Sequence, residues 1–160
     1  MEIKRVRIEG MLAYDKMDEL SEAFGRALFL AFADWEPLAI DIGDEKSDAR
    51  HMEVDIPQEG TDRRLHLSTA GKEITIAFDY WHTHIGPFLG ISIAESVNTA
   101  LSIIESFVTE QTVVRVFRRD GVWIGSGLAY RAAPPTELKP HSTTEVFSWR
   151  CTYDQTIETP

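Results

Sequence analysis

Two histidines, His82 and His84, are separated by one residue at the end of the aromatic segment FDYWHTH, residues 78–84. In a β-strand, residues two apart lie on the same face, so both imidazoles could bind one metal ion. A catalytic zinc needs a third protein ligand, and the sequence has no His-Glu-x-x-His motif to supply one. The remaining histidines are the candidates for that ligand: His51, His66 and His141. A small metal-dependent enzyme using His82 and His84 is therefore an alternative hypothesis, beside a structural role in which the rings pack over a sheet.

The aromatic residues of the same segment point to a binding surface. Tyr80 and Trp81 precede the histidines, and alternation along a strand would place these two side chains on opposite faces. Rigid aromatic side chains often supply much of the binding energy at protein interfaces. We therefore predict that Tyr80 and Trp81 contact a protein partner.

Acidic residues dominate the charge of the chain. The 160 residues include 26 acidic and 16 basic side chains, which gives a formal net charge of −10. Residues 1–62 hold 16 of the acids against seven bases, and the acids are densest over 34–62. This balance disfavours direct binding of nucleic acid and favours a basic protein partner, although a surface that only aids solubility has the same composition. The acidic residues predicted to contact the partner are Asp41, Asp44, Glu45 and Asp48.

Other reactive groups carry weaker signals. Ser126 lies between two glycines in a predicted strand, without the G-x-S-x-G elbow of a hydrolase. Cys151 is the single cysteine, which excludes a disulfide framework or a thiolate metal cluster within this sequence, and its alternating apolar neighbours predict a buried thiol. Glycine-rich phosphate-binding motifs are missing. The sequence therefore predicts no nucleophilic catalysis and no cofactor.

The amino terminus, MEIKRVRIEGMLAY, lacks the apolar run of a signal peptide. No stretch approaches the ~18 consecutive apolar residues that would cross a bilayer. With a single cysteine, these features predict a cytoplasmic protein without a membrane partner.

Two long helices are predicted to position these residues. Asp15 can cap a helix over 17–31, in which apolar residues recur at three- and four-residue spacing. Ser92 and Glu95 have the spacing of a capping box, and a single apolar stripe follows over 97–108. Each helix can therefore bury one face against a sheet.

The rest of the sequence has the pattern of antiparallel strands. Strands are predicted over 2–9, 52–56, 65–67, 74–78, 113–119, 122–128 and 147–153, with a loop over the acid-rich residues 36–48. Asp120-Gly121 favours a type I′ hairpin turn that sets Arg118 opposite Trp123 and Phe117 opposite Ile124. The predicted fold is α+β, a mainly antiparallel sheet of five to seven strands with two long helices packed on one face, in a single domain over 1–160.

Three stretches carry a resemblance to a known group of proteins: FDYWHTH at 78–84, Ser106–Gln111 and Gly121–Gly127. Over residues 72–128 the chain resembles uncharacterised bacterial immunity-like proteins of polymorphic or contact-dependent toxin systems. The resemblance implies a cytosolic antidote that blocks one cognate toxin by stoichiometric binding, often by covering its active site. It assigns a role to no individual residue.

The function predicted from these observations is a non-enzymatic immunity-like protein that binds and neutralises a cognate toxin domain. A basic toxin, such as a nuclease, would complement the acidic residues of this chain. Two hypotheses remain beside it: the small metal-dependent enzyme, and a domain that binds a small ligand between its helices and sheet.

Overall fold

The described part of the chain consists of nine strands and two long helices. The structure is a computed structural model and describes residues 12–44, 47–134 and 139–159, with the backbone alone at 44 and 47–49. The predicted strand over 2–9 lies outside these residues. The helices are α1, Glu19–Ala31, and α2, Ile93–Val108. The strands are β1 Ala39–Asp44, β2 Ser47–Pro57, β3 Arg64–Ser68, β4 Ile74–Phe78, β5 Trp81–Ile85, β6 Thr112–Arg119, β7 Val122–Tyr130, β8 Ser142–Phe147 and β9 Gln155–Thr159.

The strands form two antiparallel sheets, where the sequence predicted one. β1 to β5 pair in sequence order in a five-stranded sheet, and the second sheet has the order β7-β6-β8-β9. The α+β class is confirmed, but the single sheet of five to seven strands is wrong. Alternation within a strand predicts which of its faces is buried, and it does not identify the neighbouring strand. The division into two sheets is therefore decided by tertiary packing.

β1 occupies part of the acid-rich segment that was predicted to be a loop. It pairs with β2, with Ala39 opposite Val54 and Asp41 opposite Met52. The Oδ1 atom of Asp41 lies 2.7 Å from Nε of Arg50 on β2. The loop prediction is wrong because a cation on the neighbouring strand compensates this carboxylate inside the sheet.

Both long helices begin at side-chain caps. Asp18 caps α1, where Asp15 was predicted, and its Oδ1 accepts a hydrogen bond of 2.8 Å from the Ser21 N–H. The predicted capping box of α2 is confirmed: Oγ of Ser92 accepts from the Glu95 N–H at 3.2 Å, and Oε2 of Glu95 accepts from the Ser92 N–H at 2.8 Å. The hydrogen bonds that the Ser92 N–H and then the Ser92 hydroxyl donate to the Glu95 carboxylate hold the pKa of Glu95 below its usual value.

Buried apolar residues from both helices and both sheets form one core. α1 contacts β2 and α2, whereas α2 contacts β4, β5 and β6. Phe78 and Phe107 pack edge to face with ring centroids 4.8 Å apart, and Trp149 lies 6.1 Å from each ring. Val114 and Val116 of β6 join the same core, so it links the two sheets. The packing of both helices on one face of a sheet stays a prediction.

Neither helix of the described residues is long and apolar enough to cross a bilayer.

The β6–β7 hairpin has the predicted turn but a shifted register. Asp120 and Gly121 have φ values of +49° and +77°, as a type I′ turn requires. Arg118 lies opposite Trp123, as predicted. A bulge follows, so that Phe117 lies opposite Gly125, and the predicted pairing of this residue with Ile124 is wrong. β7 has one extra residue at this bulge. The side chains on the two sides of the bulge therefore do not follow one continuous alternation along β7.

The predicted strand over 147–153 is a turn between β8 and β9. Cys151 lies in this turn with a φ of +59° and an exposed side chain, so the prediction of a buried thiol is wrong. Nε2 of Gln58 donates to the carbonyl oxygens of Ser148 and Trp149, and its distance to Sγ of Cys151 is 3.2 Å. These contacts from a loop of the first sheet favour the turn over the strand that the alternation predicted.

Leu28 and Leu30 of α1 provide a matched test of this core. Leu28 is fully buried, whereas Leu30 is 89% exposed. Leu28→Ala should lower the free energy of unfolding by about 2–5 kcal/mol because it leaves a cavity in the core. Leu30→Ala should change it by less than about 0.5 kcal/mol. Urea unfolding of both variants measures the difference, and equal effects would contradict the orientation of α1.

Candidate protein-binding site

The turn between β4 and β5 presents Tyr80 at the point where the two sheets meet. Phe78 pairs with Trp81 across a two-residue turn, in which Asp79 has a φ of +53°. The carbonyl oxygen of Tyr80 accepts a hydrogen bond of 2.6 Å from Oγ of Ser126 on β7. The side chain of Tyr80 is 48% exposed. The turn therefore fixes the backbone of an aromatic residue whose ring remains accessible.

Arg118 of β6 holds the ring of Tyr80 from the second sheet. Its guanidinium carbon lies 5.1 Å from the ring centroid, and its Nε donates to Oε2 of Glu145 at 2.7 Å. The hydrogen bonds to Glu145 and then Tyr80 raise the pKa of Arg118. Trp123, opposite Arg118 in the hairpin, occupies the same face of the second sheet and is 50% exposed. We call Tyr80, Arg118, Trp123 and Glu145 the Tyr80 surface.

A network of charged groups lies behind the Tyr80 surface. Arg63 has its Nη1 2.7 Å from Oδ2 of Asp154 and its Nε 3.7 Å from Oδ2 of Asp79. Burial raises the pKa of Asp79, the Arg63 charge opposes that rise, and the Glu145 charge adds to it. Three carboxylates of this network thus share the guanidinium groups of Arg63 and Arg118. Among the described residues, this network therefore contains more carboxylates than guanidinium groups.

Exposed apolar side chains lie at the tip of the β6–β7 hairpin. Val122, Trp123 and Ile124 are consecutive, and at least half of each residue is exposed. Trp123 pairs with Arg118 and shares its face, whereas Val122 pairs with Arg119 and lies on the other face of the sheet. The Tyr80 surface and this tip together combine Tyr, Trp and Arg, the residue types most enriched among interface residues that dominate binding energy.

Two residues predicted to contact the partner are buried. Trp81 is 8% exposed and belongs to the core, because the strand alternation that exposes its neighbours directs its indole inwards. Asp41 is 4% exposed, lies opposite the buried Met52 and pairs with Arg50. Neither side chain is available to a partner in this conformation.

The acidic tract over 34–62 is divided between different environments. The side chains of Asp44, Glu45 and Asp48 lie outside the described residues. Asp34 and Glu36 are exposed before β1, and Glu59 and Asp62 are exposed in the loop between β2 and β3. The described residues of this tract therefore include exposed carboxylates on both sides of the β1–β2 hairpin, but Asp41 is not among them, and the predicted acidic contact surface stays a prediction.

His82 and His84 lie on one face of β5, as predicted, with ring centroids 5.1 Å apart. Nδ1 of His84 is 2.8 Å from Oε1 of Glu73 and 3.0 Å from Oγ1 of Thr75. Within 12–44, 47–134 and 139–159, no three His, Cys, Asp or Glu side chains converge as metal ligands. The geometry thus supplies a pair of imidazoles but no third ligand within that part of the chain.

The sequence did not predict that four of the five histidines share one face of the first sheet. The register from β2 to β5 places the imidazoles of His51, His66, His82 and His84 on the face opposite the buried Met52, Leu67 and Ile76. Nδ1 of His66 on β3 lies 2.9 Å from Oδ1 of Asp55 on the neighbouring strand β2. Strand order, which the sequence did not give, is needed to recognise this face.

The contacts of Tyr80 with Ser126 and of Arg118 with Glu145 were also not predicted. The sequence singled out Arg118 and Trp123 as a basic and aromatic pair, and the structure places the Arg118 guanidinium over Tyr80. The only available signal was the position of Glu145 in a strand of alternating polarity, next to β6. A contact across 46 residues, as between Tyr80 and Ser126, leaves no local pattern.

No family model, curated protein or solved structure matches this chain. The site is therefore assigned by its own geometry.

The raised pKa of Asp79 gives a stability effect that depends on pH. Because the folded-state pKa is above the unfolded value of 3.8, ionised Asp79 destabilises the fold above its folded-state pKa, and this cost vanishes below the unfolded value. Asp79→Asn should therefore melt at a higher temperature than wild type at pH 7, with an advantage that shrinks towards pH 4. Thermal unfolding across this range measures it.

Asp120→Asn is the control, since Asp120 also occupies a hairpin turn with positive φ. This variant reports how replacing a carboxylate by an amide changes the melting temperature at a position with left-handed backbone. The difference in melting temperature between wild type and Asp79→Asn could instead stay constant from pH 7 to pH 4. That result would contradict a raised pKa of Asp79 in the folded protein.

Zinc content tests the alternative based on His82 and His84. Two imidazoles without a third protein ligand bind zinc weakly, so protein incubated with zinc and then desalted should retain well below one ion per chain. Elemental analysis measures this content, with His141→Ala as the control. About one retained zinc ion per chain, lost in both His82→Ala and His84→Ala, would favour the metal-dependent enzyme.

Proposed function

We propose that this protein is a non-enzymatic, immunity-like inhibitor that binds a cationic toxin domain through the Tyr80 surface. The observation that carries the proposal is an exposed Tyr80 in a turn of the first sheet, whose backbone and ring are both contacted by residues of the second sheet. Such a site is suited to binding, and stoichiometric binding is sufficient to block an enzyme whose active site it covers.

Preorganisation supports this function. Ser126 fixes the backbone of Tyr80, and Glu145 fixes the guanidinium that lies over its ring. A side chain that is already ordered loses less conformational entropy when a partner binds. The Tyr80 surface can therefore convert most of its contact energy into affinity.

Charge supports a cationic partner. The chain carries a net charge of −10, and residues 12–38 place six carboxylates on the surface or at its margin with only Lys16 and Arg26 as cations. Within the described residues, Glu22 is the only one of those six in an ion pair, with Arg26 at 2.9 Å. Unpaired exposed carboxylates attract a positively charged partner at long range and accelerate its association.

The arrangement of potential nucleophiles supports binding over catalysis. The Ser126 hydroxyl donates to a backbone carbonyl, so it is committed to joining the two sheets. The described residues bring no third metal ligand to His82 and His84. A role that requires only a stable, complementary surface is consistent with both observations.

Alanine substitutions at the Tyr80 surface test the proposal. The proposal predicts that a gene next to that of this chain encodes the toxin domain, and that domain is the partner to use. Tyr80→Ala and Trp123→Ala should each weaken the complex about 30-fold, which corresponds to about 2 kcal/mol. Tyr130→Ala, which removes an exposed tyrosine at the far end of β7, should change Kd less than about threefold.

Calorimetry measures these constants, and growth of cells that express the toxin domain with each variant gives the biological readout. Wild-type chain should restore growth and Tyr80→Ala should restore less. Failure of the wild-type chain to bind the toxin domain, or equal losses for Tyr80→Ala and Tyr130→Ala, would overturn the proposal.

A further inference from the structure

A cavity of about 290 Å³ lies on the face of the second sheet that points away from the shared core. Its floor is formed by residues of β6, β8 and β9, and residues 131 and 133, which follow β7, form part of its wall. The floor is largely apolar, with Val113, Val146 and Ile157 among its residues. The cavity lies at the lower end of the size range of small-molecule sites.

Arg115 extends a positive charge into this cavity. It is 9% exposed and lines the cavity from the middle of β6. Its Nη2 donates to the Ala133 carbonyl at 2.6 Å, and its Nη1 donates to the Pro134 carbonyl at 3.1 Å. No carboxylate among the described residues pairs with it. A guanidinium has five N–H donors, so these two hydrogen bonds to neutral carbonyls leave most of its donors without a partner, and its charge without a counter-charge, among the described residues.

A second guanidinium lies at the wall of the same cavity. Nη1 of Arg131 is 2.7 Å from Oη of Tyr153 and 3.4 Å from the carbonyl oxygen of Glu110. Its guanidinium carbon lies 4.4 Å from the centre of the Tyr153 ring, which orders it at the cavity. Among the described residues, no Asp or Glu lines the cavity. The described part of a chain with a net charge of −10 thus places two cations and no carboxylate around one cavity.

We propose that this cavity binds a small-molecule carboxylate. The carboxylate accepts hydrogen bonds from the free N–H groups of Arg115, whose planar fork matches the geometry of two carboxylate oxygens. An apolar ring or short aliphatic chain packs on Val113, Val146 and Ile157. Such a ligand supplies the counter-charge that a buried cation requires, and its apolar part fits the floor better than a fully hydrated inorganic anion would.

The test uses the full chain and three probes: benzoate, cyclohexanecarboxylate and hexanoate. Calorimetry should show saturable binding of at least one probe with a Kd of about 1 mM or tighter. The neutral alcohol of the same skeleton should bind at least about tenfold more weakly, because it offers no charge to Arg115. Saturation of none of the three acids, or equal affinity for an acid and its alcohol, would overturn the proposal.

Matched variants locate the bound probe. Arg115→Met should weaken binding at least about tenfold, whereas Arg119→Met, on the same strand and face but outside the cavity lining, should leave it unchanged. Ile157→Trp fills the cavity from β9, the edge strand, and should abolish binding with both arginines in place. It keeps the test decisive if Arg115→Met fails to fold.

Unchanged affinity in Ile157→Trp, or equal losses in Arg115→Met and Arg119→Met, would overturn the proposal. The outcome is independent of the function proposed for the Tyr80 surface, since neither measurement involves a protein partner.

Discussion

The contact between the two sheets at the β4–β5 turn is the constraint on which the Tyr80 surface depends. Polar groups make this contact: Ser126 bonds to the carbonyl oxygen of Tyr80, and Arg63 joins Asp79 to Asp154 beyond β8. Hydrogen bonds and ion pairs depend more strongly on direction than apolar packing does. They therefore fix the orientation of one sheet edge against the other, and with it the position of the exposed ring.

This constraint separates the residues that hold the fold from those that can meet a partner. Trp81 is buried and stabilises the core, whereas its neighbour Tyr80 is exposed. Asp41 is also buried, and its carboxylate forms an ion pair with Arg50. Exposed carboxylates among the described residues lie before β1, at Asp34 and Glu36, and between β2 and β3, at Glu59 and Asp62.

The two faces of the second sheet carry different groups of residues. One face contributes Val114 and Val116 to the core and, further along, Arg118 and Trp123 to the Tyr80 surface. The other face carries Arg115 at a cavity that no carboxylate of the described residues lines. Because alternate residues of β6 point in opposite directions, a single strand contributes to both proposed sites and places their arginines on opposite faces.

The sequence predicted correctly those elements that depend on interactions between residues close together in the chain. The capping box of Ser92 and Glu95 and the Asp120-Gly121 turn are confirmed, because each satisfies backbone groups or φ angles at its own position. The α+β class and the shared face of His82 and His84 follow from periodicity in the same way, whereas Tyr80 is exposed in the two-residue turn between β4 and β5. Tertiary structure alone decided the division into two sheets, the burial of Asp41 and the contacts of Arg115. Each of these depends on groups from other strands or loops, so no local pattern of residues encodes them.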